Sequence, residues 1–146
     1  MKISTKGRYA MRMLVDLAEH KNDGFIALKT IAERQEISKK YLEQIVPILN
    51  RSDILLTNRG FQGGYQLGKP ADKITVGEIL RLTEGNLEPV ACMLADGKNS
   101  CARSADCPTL PVWVGLNKVI NDYLENITLQ DIVEQAKDHF ANDYMI

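Results

Sequence analysis

The apolar positions of the first fifty residues recur at helical intervals. Ala10, Met13, Leu14, Leu17 and Ala18 share one face of a helix that Ser4 or Thr5 can cap, and Asn22-Asp23-Gly24 supplies the turn that stops it. Phe25-Ile26 reads as a short extended piece. A second helix over 28–35 turns Leu28, Ile31 and Ala32 inward, with Ala27 standing where a capping side chain is expected. After a break at Glu36-Ile37, Ser38 caps a third helix reaching Arg51, with Tyr41, Leu42, Ile45, Ile48 and Leu49 on its apolar side. Pro47 falls inside that pattern and lacks an N–H, which predicts a kink or an early end.

The period then changes. Ile54-Leu55-Leu56-Thr57 and Tyr65-Gln66-Leu67 are β-prone, and they flank Asn58-Arg59-Gly60-Phe61-Gln62-Gly63-Gly64. Glycine readily adopts the positive φ of tight turns, so the segment reads as a hairpin. Thr75-Val76-Gly77-Glu78 has the form of a capping box and opens a helix ended by Gly85, with Ile79, Leu80 and Leu82 apolar. Residues 86–109 are small and polar and contain every cysteine. Beyond Pro111, the residues Trp113, Leu116, Ile120, Tyr123 and Ile127 recur at steps of 3, 4, 3 and 4, a heptad-like seam on a long helix. Thr128-Leu129-Gln130-Asp131 caps a last helix with Ile132, Val133, Ala136 and Phe140 on its apolar side.

The pattern predicts a mainly α fold. A winged helix-turn-helix occupies 1–85, a cysteine-containing loop 86–109, and a dimerisation helix with a C-terminal helix 110–146. The composition suits a globular chain: 146 residues, 25% charged and 45% hydrophobic. No stretch approaches the roughly 20 apolar residues of a membrane span, and the charges of the first eight residues have no apolar run behind them. A cytoplasmic protein is expected. The formal net charge of −1 conceals an asymmetry: residues 1–75 carry 13 Lys and Arg against 8 Asp and Glu, and residues 76–146 carry 5 against 11. A basic half ahead of an acidic one points to a segment that meets a polyanion.

A DNA reader needs cations for phosphates and hydrogen-bonding side chains for base edges. Lys2, Lys6 and Arg8 open the first helix and suit backbone phosphates. Lys39, Lys40, Tyr41, Glu43 and Gln44 begin the third, the end that enters a major groove in helix-turn-helix proteins. Gln44 can pair with adenine and Glu43 can accept from the cytosine amino group, while Arg59 at the hairpin tip suits a narrow minor groove. Blander readings compete: Tyr41 as a core aromatic, Glu43 paired with Lys39 at i, i+4, and Arg59 simply solvated. The glycines at 60, 63 and 64 lack the Lys-Ser/Thr of a phosphate-binding loop and lead into a strand. His20 and His139 end helices, and nothing composes a catalytic triad, so no enzyme is expected.

Three segments in order, Lys2-Ile3-Ser4-Thr5-Lys6-Gly7-Arg8-Tyr9, Ile37-Ser38-x-x-Tyr41-Leu42-Glu43-Gln44 and Arg59-Gly60-x-x-Gly63-Gly64-Tyr65-x-Leu67, resemble the Rrf-type winged-helix transcriptional regulators. The resemblance is close over 1–85 and looser along the long helix. It implies a homodimeric repressor on a near-palindromic operator in double-stranded DNA, with recognition helices about one DNA turn, roughly 34 Å, apart.

The cysteines form Cys92-x8-Cys101-x5-Cys107, and three thiolates within one loop are ligands of the kind that hold an iron–sulfur cluster. The resemblance implies such a cluster in the IscR-like and NsrR-like members. This chain departs from them: its first gap is longer than in IscR-like members, Leu110 stands where a His follows the third cysteine, and Arg8 stands where NsrR-like members place an acidic ligand. A fourth ligand is left open among Asp106, Asp96 and an exogenous group. Zinc is the metal alternative, without a Cys-x-x-Cys pair to favour it. The remaining reading is a cofactor-free regulator with three free thiols, controlled by oxidation or by a partner, which the resemblance to CymR-like members implies to be a metabolic enzyme.

Overall fold

The computed structural model describes residues 1–93 and 101–143. Helices α1 (Thr5–Glu19), α2 (Leu28–Gln35) and α3 (Lys39–Leu49) come first, followed by the strands β1 (Leu55–Asn58) and β2 (Gly64–Leu67). Then come α4 (Val76–Glu84), α5 (Leu110–Glu125) and α6 (Leu129–Asp143). This is the mainly α winged helix expected from the pattern.

Ser4 starts α1 by accepting a hydrogen bond from the Gly7 N–H at 3.3 Å, while its hydroxyl donates to Glu84 Oε1 at 2.7 Å. The predicted face of α1 is buried. The turn into α3 is set by Glu36, which adopts a left-handed φ of 53°, and by the Ile37 N–H, which donates to Ala32 O at 3.0 Å. That pattern closes a helix end, and buried Ile37 fastens it to the core.

Helix α3 differs from the expectation in two respects. Ser38 occupies the cap position without a capping bond from its side chain, and the helix ends at Leu49 rather than Arg51. The end falls two residues beyond Pro47, whose ring lies on the exposed side, where water can satisfy the Glu43 carbonyl left without its helical donor.

Leu42, Ile45 and Leu49 of α3 join Met13, Leu14 and Leu17 of α1, Ile54, Ile74 and Ile79 in one core. Leu129 and Val133 of α6 belong to the same core, so the C-terminal segment does not stand apart from the first 85 residues.

The hairpin pairs Leu55 with Leu67 through Asn58 with Gly64. Ile26 pairs along the other edge of β2, exchanging backbone hydrogen bonds of 2.9 and 2.8 Å with Tyr65. Of the three tip glycines only Gly60 has a positive φ, at 125°. The other two are required by space: a Cβ on Gly64 would lie 2.5 Å from the Ile26 carbonyl, and one on Gly63 would lie 2.6 Å from Asn58 O.

The capping box predicted at α4 is half formed. Thr75 Oγ1 accepts from the Glu78 N–H at 3.1 Å, but the Glu78 carboxylate is taken by Lys69 at 2.8 Å. The complete box stands at α6, where the Thr128 N–H donates to Asp131 Oδ2 at 2.8 Å and the Asp131 N–H returns to Thr128 Oγ1 at 3.2 Å.

Ile127 corrects the predicted seam. Asn126 ends α5, and Ile127 lies in the link to α6, packed against Val76, Leu80 and Leu87 of its own chain. Two cap residues close together leave no helical position for it.

Candidate nucleic-acid interface

Helices α2 and α3 form the helix-turn-helix, and a buried carboxylate fixes it to α1. Asp16 is 1% exposed and accepts from Arg34 Nε at 3.0 Å, Arg34 Nη2 at 2.5 Å and Gln35 Nε2 at 3.0 Å. The hydrogen bond to Asp16 raises the Arg34 pKa above its ordinary value. The sequence signal for this lock is Asp16 itself, which lies three residues from Met13 on the apolar face of α1, where a charged partner must meet it.

Lys39, Lys40, Glu43 and Gln44 are exposed along one side of α3. The anticipated ion pair is present, with Lys39 Nζ 3.5 Å from Glu43 Oε1. Tyr41 lies inward of this edge, half-buried and edge-on to Tyr9 with centroids 5.4 Å apart, as its core-aromatic reading required. Arg12 covers the other partner, 5.5 Å from the Tyr9 centroid. The Tyr9–Tyr41 contact brings the first turns of α1 and α3 together, and Arg8 and Lys40 each neighbour it in sequence. The far end of α3 is tied to the hairpin by the Thr57 hydroxyl, which donates to Asn50 Oδ1 at 3.0 Å.

Lys2 and Arg8 are exposed and Lys6 is half-buried. Arg8 donates to Thr5 Oγ1 at 3.1 Å. Arg59 is exposed at the wing tip beside Phe61, whose relative exposure of 105% makes it the most exposed large hydrophobic residue among those described. The signal for Phe61 in the sequence is its place between turn glycines, where an aromatic has no core to enter.

The cysteines are dispersed. Cys92 sits in a short turn at Ala91–Met93, Cys101 is exposed, and Cys107 lies three residues before the start of α5 at Leu110. Cys107 Sγ lies 3.3 Å from Thr109 Oγ1. That hydroxyl, with the backbone N–H groups of Thr109 and Leu110, lowers the Cys107 pKa. Among the described residues no three Cys, His, Asp or Glu side chains gather as a metal site. Asp96 lies outside the described residues, and Asp106 is exposed beside Cys107. The thiols suit iron or zinc by softness, but the described residues neither assemble them nor add a fourth ligand.

Helix α5 is clamped to α4 by the Arg81–Glu125 ion pair, by Arg81 Nη2 donating to Asn121 Oδ1 at 2.6 Å, and by the Thr75 hydroxyl donating to Glu125 Oε2 at 3.0 Å. The Arg81 hydrogen bond, aided by Thr75, lowers the Glu125 pKa. No residue of α5 is buried within the chain. Trp113 and Ile120 are half-exposed, Leu116 and Tyr123 are exposed, and Val112 and Val119 are exposed beside them. The exposed stripe is thus Val112, Leu116, Val119 and Tyr123, again at steps of 4, 3 and 4.

A family model described as "Rrf2: Iron-dependent Transcriptional regulator" matches residues 3–135. A Neisseria meningitidis serogroup B protein, named provisionally as an HTH-type transcriptional regulator, is 42% identical over 135 residues, covering 92% of this chain and 89% of that protein. The HTH-type transcriptional regulator IscR of Erwinia tasmaniensis is 38% identical over 137 residues, covering 94% and 81%. Among solved structures, CymR, the global cysteine regulator of B. subtilis, superposes with a TM-score of 0.76 at 35% identity, covering 92% of this chain and 98% of that one.

Proposed function

The chain belongs to the Rrf2 family of transcriptional regulators, and from that premise we propose that it works as a homodimeric repressor on a near-palindromic operator. It is a winged-helix regulator, like the relatives it matches, and not an enzyme. The observation that carries the fuller reading is the solvent-facing edge of α3, Lys39, Lys40, Glu43 and Gln44, on a helix held at both ends by Tyr9–Tyr41 and Asn50–Thr57.

In this reading the first turns of α3 enter the major groove. Gln44 reads adenine, and Glu43 exchanges Lys39 for a cytosine amino group. Lys2, Lys6, Arg8, Lys39 and Lys40 meet phosphates, Tyr41 holds the helix angle, and Arg59 reaches the minor groove. A second copy closes the α5 stripe through Leu116 and Tyr123, with Trp113 and Ile120 at its margin. Among the described residues no helix is long and apolar enough to cross a membrane, and DNA as the ligand places the work in the cytoplasm. Selection of duplexes from a random pool tests the reading. Two inverted half-sites centred about 10 base pairs apart are expected, and a pool without enrichment would overturn it.

The DNA affinity is set through Cys92, Cys101 and Cys107. An iron–sulfur cluster is supported by the three thiol donors and by similarity to IscR proteins. When bound it would tie the loop together and respond to oxidants. A second reading, cofactor-free control by thiol oxidation or by a metabolic enzyme as partner, is favoured by the acidified Cys107 and by likeness to CymR. Visible absorption of anaerobically purified protein separates them: a chromophore lost in each Cys→Ala variant supports the cluster, and a colourless protein supports the thiols.

A further inference from the structure

We propose that Phe61 is a minor-groove wedge, which enters beside a base step of the bound duplex, partly unstacks it and bends the operator. The proposal rests on the DNA-binding reading above and adds to it a residue and a deformation.

The ring of Phe61 has no packing role in the free protein, since its exposure is 105%. Its position is built. Gly60 turns the chain at φ 125°, and the Gly63 N–H closes the turn onto Gly60 O at 2.9 Å. No side chain fits at Gly63, where a Cβ would meet Asn58 O at 2.6 Å. The loop between the last paired residues, Asn58 and Gly64, is therefore tight, and it presents Phe61 and Gln62 at its apex.

The neighbours fit one surface. Those of Phe61 along the turn, Asn58, Arg59 and Gln62, are all exposed. Arg, Asn and Gln read the minor groove, and an apolar wedge beside such residues is how minor-groove proteins kink DNA. That groove is only about 6 Å wide, which admits a hairpin tip and excludes a helix. The wedge also has a firm base, because β2 pairs with Ile26 and β1 is bonded to the end of α3. The recognition helix and the wedge are thus mechanically one piece. Pyrimidine–purine steps unstack most easily, so the operator should carry one where each wing lands.

The test uses the full-length protein and duplexes it selects from a random pool. End-to-end energy transfer reads the bend, and 2-aminopurine placed under the wing reads unstacking. Wild type should bend the duplex by at least about 20° and brighten the probe. Phe61→Ala should fold normally, bind about tenfold more weakly and lose both signals. Phe61→Leu, which retains an apolar wedge, should keep them. A Phe61→Ala protein that bends DNA and brightens the probe as wild type does would overturn the proposal, as would a wild-type complex that is straight and dark. If the variant binds and bends normally but loses a protein partner, the ring serves that partner. Failure to select any duplex would instead sink the DNA-binding reading itself, and the wedge with it.

Discussion

Replacing Leu116 by Glu should split the proposed dimer without unfolding the protomer. Leu116 is 42% exposed in the single chain. Full burial of a leucine side chain is worth about 1.5–3 kcal/mol, so closing the remaining exposure contributes about 1 kcal/mol per protomer. A glutamate there forfeits that gain and adds an uncompensated polar group, about 1–3 kcal/mol more. Two-fold symmetry doubles the effect to about 4–8 kcal/mol, a weakening of at least about a thousandfold in dimer affinity. Ile120 is a poorer site because it is already half-buried within its own chain. Sedimentation equilibrium should find dimer for wild type and monomer for Leu116→Glu at micromolar concentration. Thermal unfolding at matched monomer concentration should confirm an intact core, since Leu116 is not part of it. A variant that remains dimeric would refute the assignment of α5 to the interface.

Gln44→Ala should relax preference at one position per half-site at a cost of about 1–3 kcal/mol, while Lys40→Ala should weaken all duplexes alike; competition binding with matched and scrambled duplexes separates the two. Arg34→Ala leaves the buried Asp16 carboxylate with Gln35 alone of its two side-chain donors, so urea unfolding should show a loss of about 3 kcal/mol at unchanged m-value. The Glu125 pKa is lowered in the folded chain, so its clamp is fully present above the ordinary glutamate value of about 4.3 and is lost as pH falls through the lower folded value. The emission of Trp113, the single tryptophan and a residue of α5, should follow that loss and cease to do so in Glu125→Gln.

The parts legible in the sequence are those that local chemistry decides. The face of α1, the Asn-Asp-Gly stop, the hairpin and the Gly85 helix end each follow from residue period or backbone preference, and the structure contains them. The misses arise where a distant partner competes for a group. Glu78 is drawn from its capping box to Lys69, and Asp16 is buried because Arg34 and Gln35 meet it across the fold. Ile127 matched the seam by spacing, yet Asn126 and Thr128 break the helix on either side of it. Gly63 and Gly64 were legible as hairpin glycines, but the reason is crowding by Asn58 and Ile26, which becomes visible once the chain has folded back. Of the candidate DNA contacts, Lys39, Lys40, Glu43, Gln44 and Arg59 stand exposed, while Tyr41 turns inward to Tyr9.

The salt dependence of operator affinity tests the central claim most directly. Protein that docks α3, the start of α1 and the wing on DNA through Lys2, Lys6, Arg8, Lys39, Lys40 and Arg59 in each of two protomers should lose affinity steeply as salt rises. A plot of log K against log salt should have a slope between about −5, if half of those cations meet phosphates, and about −11, if all do, and the selected operator should outcompete a scrambled duplex at every salt concentration. A slope near zero, or equal affinity for the two duplexes, would contradict the account.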